Sequence, residues 1–364
     1  MARFADPVFV TRPYLPPIES FKEGLEEIWR NRFLTNDGPV LKRFHKSLAE
    51  YMDVSADNMA LFCNGTLALE LGYYAMGLSG GDVITTPFTF VATSHALKRI
   101  GATPVFADID PETLCLSPES AEKLITPRTK AIVPVHVYGN ACDVEGFRRL
   151  GEKYGVKIIY DAAHAFGVKE LAHCGDMSMF SFHPTKLFHS CEGGMLVFKD
   201  KSLQRKLFEL RNFAIHDELV CVDVGSNAKM NELQALMGLE CLKKIDNLLD
   251  ARQRIYEAYR KVFDGCDDVQ LVEKSRNKAY VPVLFEDYAT REKVYRELKE
   301  KYNVFARRYF YPLLTDFAPY VYAKGNCPVA EDIASRILTL PTYYGLPLEH
   351  VKRIAKTVTA IIRD

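Results

Sequence analysis

The sequence has no excess of either charge: 47 Lys and Arg face 47 Asp and Glu across 364 residues. A general nucleic-acid binder needs a basic surplus, so that class is set aside, whereas a local basic pocket for one phosphorylated small molecule is not. No apolar run comes near the ~18 residues that a membrane span requires. The N-terminal stretch MARFADPVFVTRPYLPP lacks the continuous apolar core of a secretory signal. The nine cysteines are odd in number, widely scattered and without a CxxC pair, so neither a zinc ribbon nor a disulfide framework is indicated. There is no internal repeat and no low-complexity segment. These absences describe a protein of a reducing cytoplasm with no metal, no nucleic acid and no membrane partner, its thiols mostly filling core.

What is present is an ordinary folding mixture, 48% hydrophobic and 26% charged. The length exceeds one comfortable core and predicts two domains. From about residue 57 to 200, short β-rich runs alternate with helical stretches. Strands are expected at 59–63, 82–86, 103–107, 131–135, 157–160, 177–182 and 194–198, with helices at 67–78, 92–100 and 144–154. Such alternation predicts an α/β domain with a mostly parallel sheet and helices on both faces. Residues 230–249 have helical apolar spacing, and 252–263 continue it after a polar break. The expected division is a large domain over 1–249, including the N-terminal segment, and a smaller C-terminal α+β domain over 250–364.

Parallel sheets bind ligands beyond the carboxyl ends of their strands, and five features fall there. Asn64-Gly65-Thr66 lies between a strand and a helix, where free backbone N–H groups and the helix dipole suit a phosphate; a plain helix cap is the competing reading. Phe88 and Phe90 follow the next strand, either as core or as a ring on which a planar group stacks. Asp161 closes KIIYD, and a buried Asp there ligates a metal, orients a His such as His164 three residues on, or holds a protonated heterocycle; a plain capping Asp is the competing reading. Ser181 and Lys186 follow MSMF, and a desolvated Lys makes a Schiff-base nucleophile, although most lysines are simply surface groups. Glu192-Gly193-Gly194 is a tight return towards the lysine loop. Together these supply an anion cradle, a stacking ring, a partner for a pyridinium nitrogen and a Schiff-base lysine, the set that holds pyridoxal phosphate. No GxGxxG follows the first strand, which weighs against a nicotinamide dehydrogenase.

The sequence resembles the DegT/DnrJ/EryC1/StrS family of sugar aminotransferases, nearly end to end from Leu34 to Pro341. The likeness rests on TPFTFVATSHAL (86–97), PVHVYGNACDV (134–144), YDAAHAFG (160–167), FSFHPTK (180–186), EGG (192–194) and NAKMNELQALMGLECL (227–242). It implies a fold-type I pyridoxal-phosphate transferase. By motif position Lys186 is the lysine that forms the Schiff base with the cofactor, and Asp161 partners the pyridinium nitrogen. His164 stands beside the 3-hydroxyl, Phe90 stacks on the ring, and Gly65, Thr66 and Ser181 cradle the phosphate. Asn227 is similar to the residue that reaches the phosphate of the neighbouring subunit, which implies a homodimer with shared active sites.

Retention of Lys186, where a dehydratase subset has His, implies transamination. The resemblance gives L-glutamate as donor, pyridoxamine phosphate as intermediate and a nucleotide-linked keto-sugar as acceptor, in amino-sugar supply for a surface polysaccharide such as the O-antigen of lipopolysaccharide. TRPYLPPIESF, GSNAKMNE and FARRYFYPL (305–313) are similar to members that aminate C4 of dTDP-4-keto-6-deoxyglucose. C3 amination of a 3-keto isomer, a pyridoxamine-phosphate-dependent dehydratase and a non-catalytic binder are the alternatives. Two departures stand out. FAIHDE (213–218) replaces the His-Gly that many members have after the Arg-Asn pair, and Cys191 stands where many have a small residue or Gly. Tyr309 and Tyr311 are candidates for sugar contact, and Arg307 or Arg308 for a phosphate, against a packing role.

Overall fold

The computed structural model describes residues 1–217, 220–272 and 274–364. Its centre is a seven-stranded sheet. In chain order the strands are β1 (Met59–Phe62), β2 (Asp82–Thr85), β3 (Thr103–Phe106), β4 (Thr129–Ile132), β5 (Lys157–Asp161), β6 (Met177–Ser181) and β7 (Gly194–Phe198). They lie in the order β1-β7-β6-β5-β4-β2-β3, and β7 alone runs against the others. This is the expected mostly parallel α/β sheet.

Side-chain alternation explains its two covered faces. Ala60, Phe62, Val83, Ile159, Met177 and Met179 enter one core with Leu69, Tyr73 and Leu97 of the covering helices. Their neighbours Met59, Leu61, Ile84, Ile158, Tyr160 and Phe180 enter the core on the opposite face. The strand expected at 131–135 ends earlier, because beyond Ile132 the chain leaves the ladder and Val135 keeps only one bridge, to Asp161.

The C-terminal part has a three-stranded antiparallel sheet, β8 (Val269–Leu271), β9 (Val281–Phe285) and β10 (Ile337–Leu340), in that order. Helix Leu348–Arg363 buries Val351, Ile354, Ala355, Val358 and Ile361 at helical spacing in the same core. The expected division at 249/250 falls inside the helix Ile245–Phe263, and the polar break comes earlier, after the helix Glu232–Leu242. That long helix serves both cores: Ile245 joins the large one, while Ile255, Tyr259 and Phe263 join the C-terminal one. The N-terminal segment also departs from expectation. Val8–Phe9 pairs in parallel with Val304–Phe305, and Phe4 and Val8 are buried in the C-terminal core.

The chain after residue 305 returns to the large sheet. Leu314 N–H donates to Pro87 O at 3.3 Å, Tyr322 Oη–H to Pro104 O at 2.7 Å, and the Val329 and Ala330 amides to the Asp108 carboxylate at 2.9 and 2.8 Å. These bonds hold the returning chain against the strand ends of the large sheet. Among the described residues no helix is long and apolar enough to cross a membrane.

Candidate active site

A cavity of about 210 Å³ lies where the two parts meet. Its floor is built from strand ends. At the end of β1 the Asn64 side chain accepts from Leu67 N–H at 2.8 Å and caps the helix Gly65–Ala75. The amides of Gly65 and Thr66 stand in the first turn, where a helix offers N–H groups without internal partners. Glycine is required by proximity here. A Cβ on Gly194, the first residue of β7, would lie 2.6 Å from Asn64 O and 2.8 Å from Gly65 Cα, and a Cβ on Gly65 would lie 3.2 Å from Ser181 Cβ. Three backbones and one hydroxyl therefore close on the same small volume, which makes an anion-sized cradle.

Asp161, the last residue of β5, is 4% exposed. Its Oδ2 accepts from Thr93 Oγ1–H at 2.7 Å and its Oδ1 from Ala163 N–H at 3.0 Å. Burial pushes the carboxyl above its ordinary range, and the Thr93 and Ala163 hydrogen bonds and the charge of Lys186 oppose that rise. A cation brought to this carboxylate would relieve the cost of burying it.

His164 is buried at the same edge. Its Nδ1 accepts from Tyr138 N–H at 3.1 Å, so the neutral ring carries its proton on Nε2. Burial holds the imidazole well below its usual range, and the charge of Lys186 lowers it further. The ring is therefore a neutral Nε2–H donor. Asn277, from the C-terminal part, donates to the carbonyls of His164 and Phe166 at 2.8 and 2.9 Å and fixes this turn.

Lys186 follows β6 on a turn closed by its own N–H to His183 O at 2.9 Å. Burial lowers its ammonium below the ordinary lysine range, with Asp161 and then Tyr309 opposing. Its Nζ donates to Tyr280 Oη at 3.5 Å. Phe90, 57% exposed, forms a side wall, and Tyr280, Tyr309 and Phe310 form the wall opposite the floor. At the rim His183 Nε2 lies 3.5 Å from Glu192 Oε1.

The structure thus brings together Gly65, Thr66, Phe90, Asp161, His164, Ser181 and Lys186 around one cavity. It does not bring Asn227 there. That residue is exposed, outside the cavity lining, and bridges Asn212. Of the C-terminal candidates, Tyr309 lines the cavity. Tyr311 instead packs with Tyr288 and Arg291, and Arg308 is ion-paired with Glu292 at 2.9 Å. Arg307 is exposed near Tyr309. Cys191 is exposed with φ of +63°, the left-handed region, and its N–H donates to His189 Nδ1 at 3.3 Å. Of the segment 213–218, Glu218 lies outside the described residues. A larger cavity, about 800 Å³, runs past Asp37, Phe208 and Arg211, but Arg211 there is already paired with Asp37 at 2.6 Å.

Sequence reasoning passed over Thr93, Tyr138, Asn277 and Tyr280. Thr93 was findable by asking what partners a buried Asp161, since it sits one helical turn beyond Phe90. Tyr280 has no local signal, being 94 residues from Lys186.

Known proteins are similar to this chain in sequence and in fold. A model of the DegT/DnrJ/EryC1/StrS aminotransferase family matches residues 18–359. A dTDP-4-amino-4,6-dideoxy-D-glucose transaminase of Shigella dysenteriae is 42% identical over 368 residues, covering 98% of this chain and 99% of the relative. Among solved structures, DesI in the presence of its TDP-sugar product superimposes with a TM-score of 0.92 at 34% identity, covering 100% of this chain and 94% of DesI. NtdA of Bacillus subtilis with bound cofactor PMP gives 0.89 at 28% identity, covering 95% of this chain and 82% of NtdA.

Proposed function

Because this chain belongs to the DegT/DnrJ/EryC1/StrS aminotransferase family, a pyridoxal-phosphate-dependent family of fold-type I, we propose that it moves the amino group of L-glutamate to a nucleotide-linked keto-sugar. The acceptor position is C4 of dTDP-4-keto-6-deoxyglucose, and the product is dTDP-4-amino-4,6-dideoxyglucose. The observation that carries the reading is the convergence of Lys186, Asp161 and the Gly65–Ser181 cradle on one cavity. The choice of sugar leans on the 42% identity to the Shigella dysenteriae transaminase.

The residues present fit pyridoxal 5′-phosphate. The Gly65 and Thr66 amides and the Ser181 hydroxyl would bind the phosphate. Asp161, costly to bury as a carboxylate without a cationic partner, would hold the proton on the ring nitrogen. The Nε2–H of His164 would donate to the 3-hydroxyl oxygen, and Phe90 would cover a ring face. When bound, the cofactor supplies a carbonyl that carries the amine between donor and acceptor, and a ring that accepts electron density from the reacting carbon. Lys186 is the residue that would hold it, through Nζ. With its basicity lowered by burial, the same amine would move the proton at the substrate carbon. The phenol and phenyl rings of Tyr309 and Phe310 exclude water from that side.

We place Asn227 in the neighbouring subunit's phosphate site, in a homodimer with shared sites. Phe213, Val222 and Val224, close to it in sequence, are exposed apolar side chains of the kind that a second copy covers. Sedimentation of the purified protein as a monomer at micromolar concentration would remove this assignment. The cellular setting proposed is the cytoplasm, in amino-sugar supply for O-antigen or other surface polysaccharide.

The test is incubation with pyridoxal phosphate, L-glutamate and dTDP-4-keto-6-deoxyglucose, the product being read by mass spectrometry and NMR. An amine on C4 is expected. Release of 2-oxoglutarate in a single turnover without sugar product overturns the assigned acceptor and leaves the amino-transfer half-reaction standing.

A further inference from the structure

Among the described residues the ammonium of Lys186 makes one hydrogen bond, to the hydroxyl of Tyr280. The reverse also holds. The buried Tyr259 spends its hydroxyl on Pro341 O at 3.0 Å, and Tyr138 spends its own on Tyr309 O. Tyr280 is 2% exposed and, among the described residues, its hydroxyl is hydrogen-bonded to the lysine and to no backbone carbonyl. Its ring is locked against His164, with centroids 4.7 Å apart, and against Tyr138 at 5.8 Å. A rigid phenol, delivered from the C-terminal part of the chain, thus meets a flexible amine delivered by the sheet.

We propose that Tyr280 is a positioning residue for Lys186, its hydroxyl holding Nζ over the cavity whenever the amine is not bonded to the cofactor. The inference rests on the cofactor reading given above. A phenol suits the task because it accepts from an ammonium and donates to the lone pair of a neutral amine, so the contact survives both protonation states. Burial keeps the phenol itself protonated, with Arg252 opposing that effect only in part. The other titratable groups facing Nζ are Asp161 from β5, His164 from the turn after it, and Tyr309 from the returning chain. None of these is hydrogen-bonded to Nζ. Free lysine carries several rotatable bonds, and fixing its head at the point of proton transfer removes an orientational cost from the chemical step.

The experiment uses Tyr280→Phe, which keeps every ring contact; thermal melting verifies that the fold is retained. Lys186 acetylation in cofactor-free protein is followed against pH by peptide mass spectrometry, and steady-state kinetics are measured on the loaded enzyme. A hydrogen bond to the charged form is the stronger one, so its loss is expected to lower the labelling midpoint of Lys186 by about half a pH unit or more. Turnover is expected to fall roughly tenfold with little change in KM. Tyr309→Phe removes a phenol from the same wall, one that raises the Lys186 pKa without a hydrogen bond to Nζ, and is expected to lower the midpoint less than Tyr280→Phe does. A Tyr280→Phe midpoint equal to the native one overturns the proposal, as does unchanged kcat. The underlying cofactor reading is scored separately, by borohydride fixation of pyridoxal phosphate on the unaltered chain.

Discussion

The two walls of the cavity are made by different means. On the sheet side, Asp161, Ser181 and Lys186 lie within a few residues of hydrogen-bonded strand, and backbone amides of the same motifs fix them. On the facing side, Tyr280, Tyr309 and Phe310 come from loops held by ring contacts: Phe310 packs on Phe88, Tyr138 and His164 at centroid distances of 5.7, 6.1 and 5.9 Å. A ladder of strand hydrogen bonds sets atoms to within tenths of an ångström, and the groups that do chemistry sit there. Ring packing tolerates substitution by size and shape, and it forms the side left to fit a substrate. The lesson is a division of labour between a locally determined floor and a wall assembled from distant chain.

That contrast is broken or sharpened by substitutions on each side. Lys186→Ala is expected to have the largest effect, lowering turnover by at least about a thousandfold; measurable turnover near the native rate would contradict the floor's role. Asp161→Asn follows, with a loss of about a hundredfold or more. Thr93→Val, which withdraws one hydrogen bond from the same carboxylate, gives a smaller loss in the same assay. On the wall, Phe310→Ala is expected to cost about 3 kcal/mol of stability in urea unfolding, with a milder effect on turnover than either floor substitution. Equal losses of turnover on both sides would erase the distinction.

Acid separates the two sides further. His136, stacked on Tyr160 beneath the sheet edge at 4.7 Å, is held down to about 3 by burial, and Arg276 adds to the shift. An unfolded histidine takes up its proton near pH 6.5. Between that pH and about 3 the unfolded chain binds the extra proton, so stability rises with pH and is lost on acidification by about 1.4 kcal/mol per pH unit. His164 acts with the same sign. Urea unfolding of His136→Phe between pH 7 and 5 is expected to be less pH-dependent than that of the native chain. The smallest effect belongs to Cys191→Gly. Relief of a left-handed non-glycine residue is expected to raise stability by less than about 1 kcal/mol, read as a small rise in melting temperature.

The floor was legible in the sequence because each of its groups follows a strand within a short motif. β-rich runs alternating with helices located the edge, and the residues after them supplied Gly65, Asp161, Ser181 and Lys186. The position of Cys191 was also marked, and its φ explains why glycine is easy there. The wall was less legible. FARRYFYPL named Tyr309 and Tyr311 together, but the turn sends the first into the cavity and the second against Arg291. Tyr280 and Asn277 depend on packing between distant segments, which no periodicity encodes. The boundary at 249/250 went astray for a related reason: the helix Ile245–Phe263 is apolar along faces that serve two cores, and a composition shift does not mark where one hands over to the other.

The central claim is that Lys186 carries the cofactor in this cavity. It is tested most directly by loading the protein with pyridoxal phosphate, reducing it with borohydride and mapping the modified peptide by mass spectrometry. The account predicts one phosphopyridoxyl group, on Lys186, and its absence when L-glutamate is added before reduction. Modification spread over surface lysines, with the peptide containing FSFHPTK left bare, would contradict it.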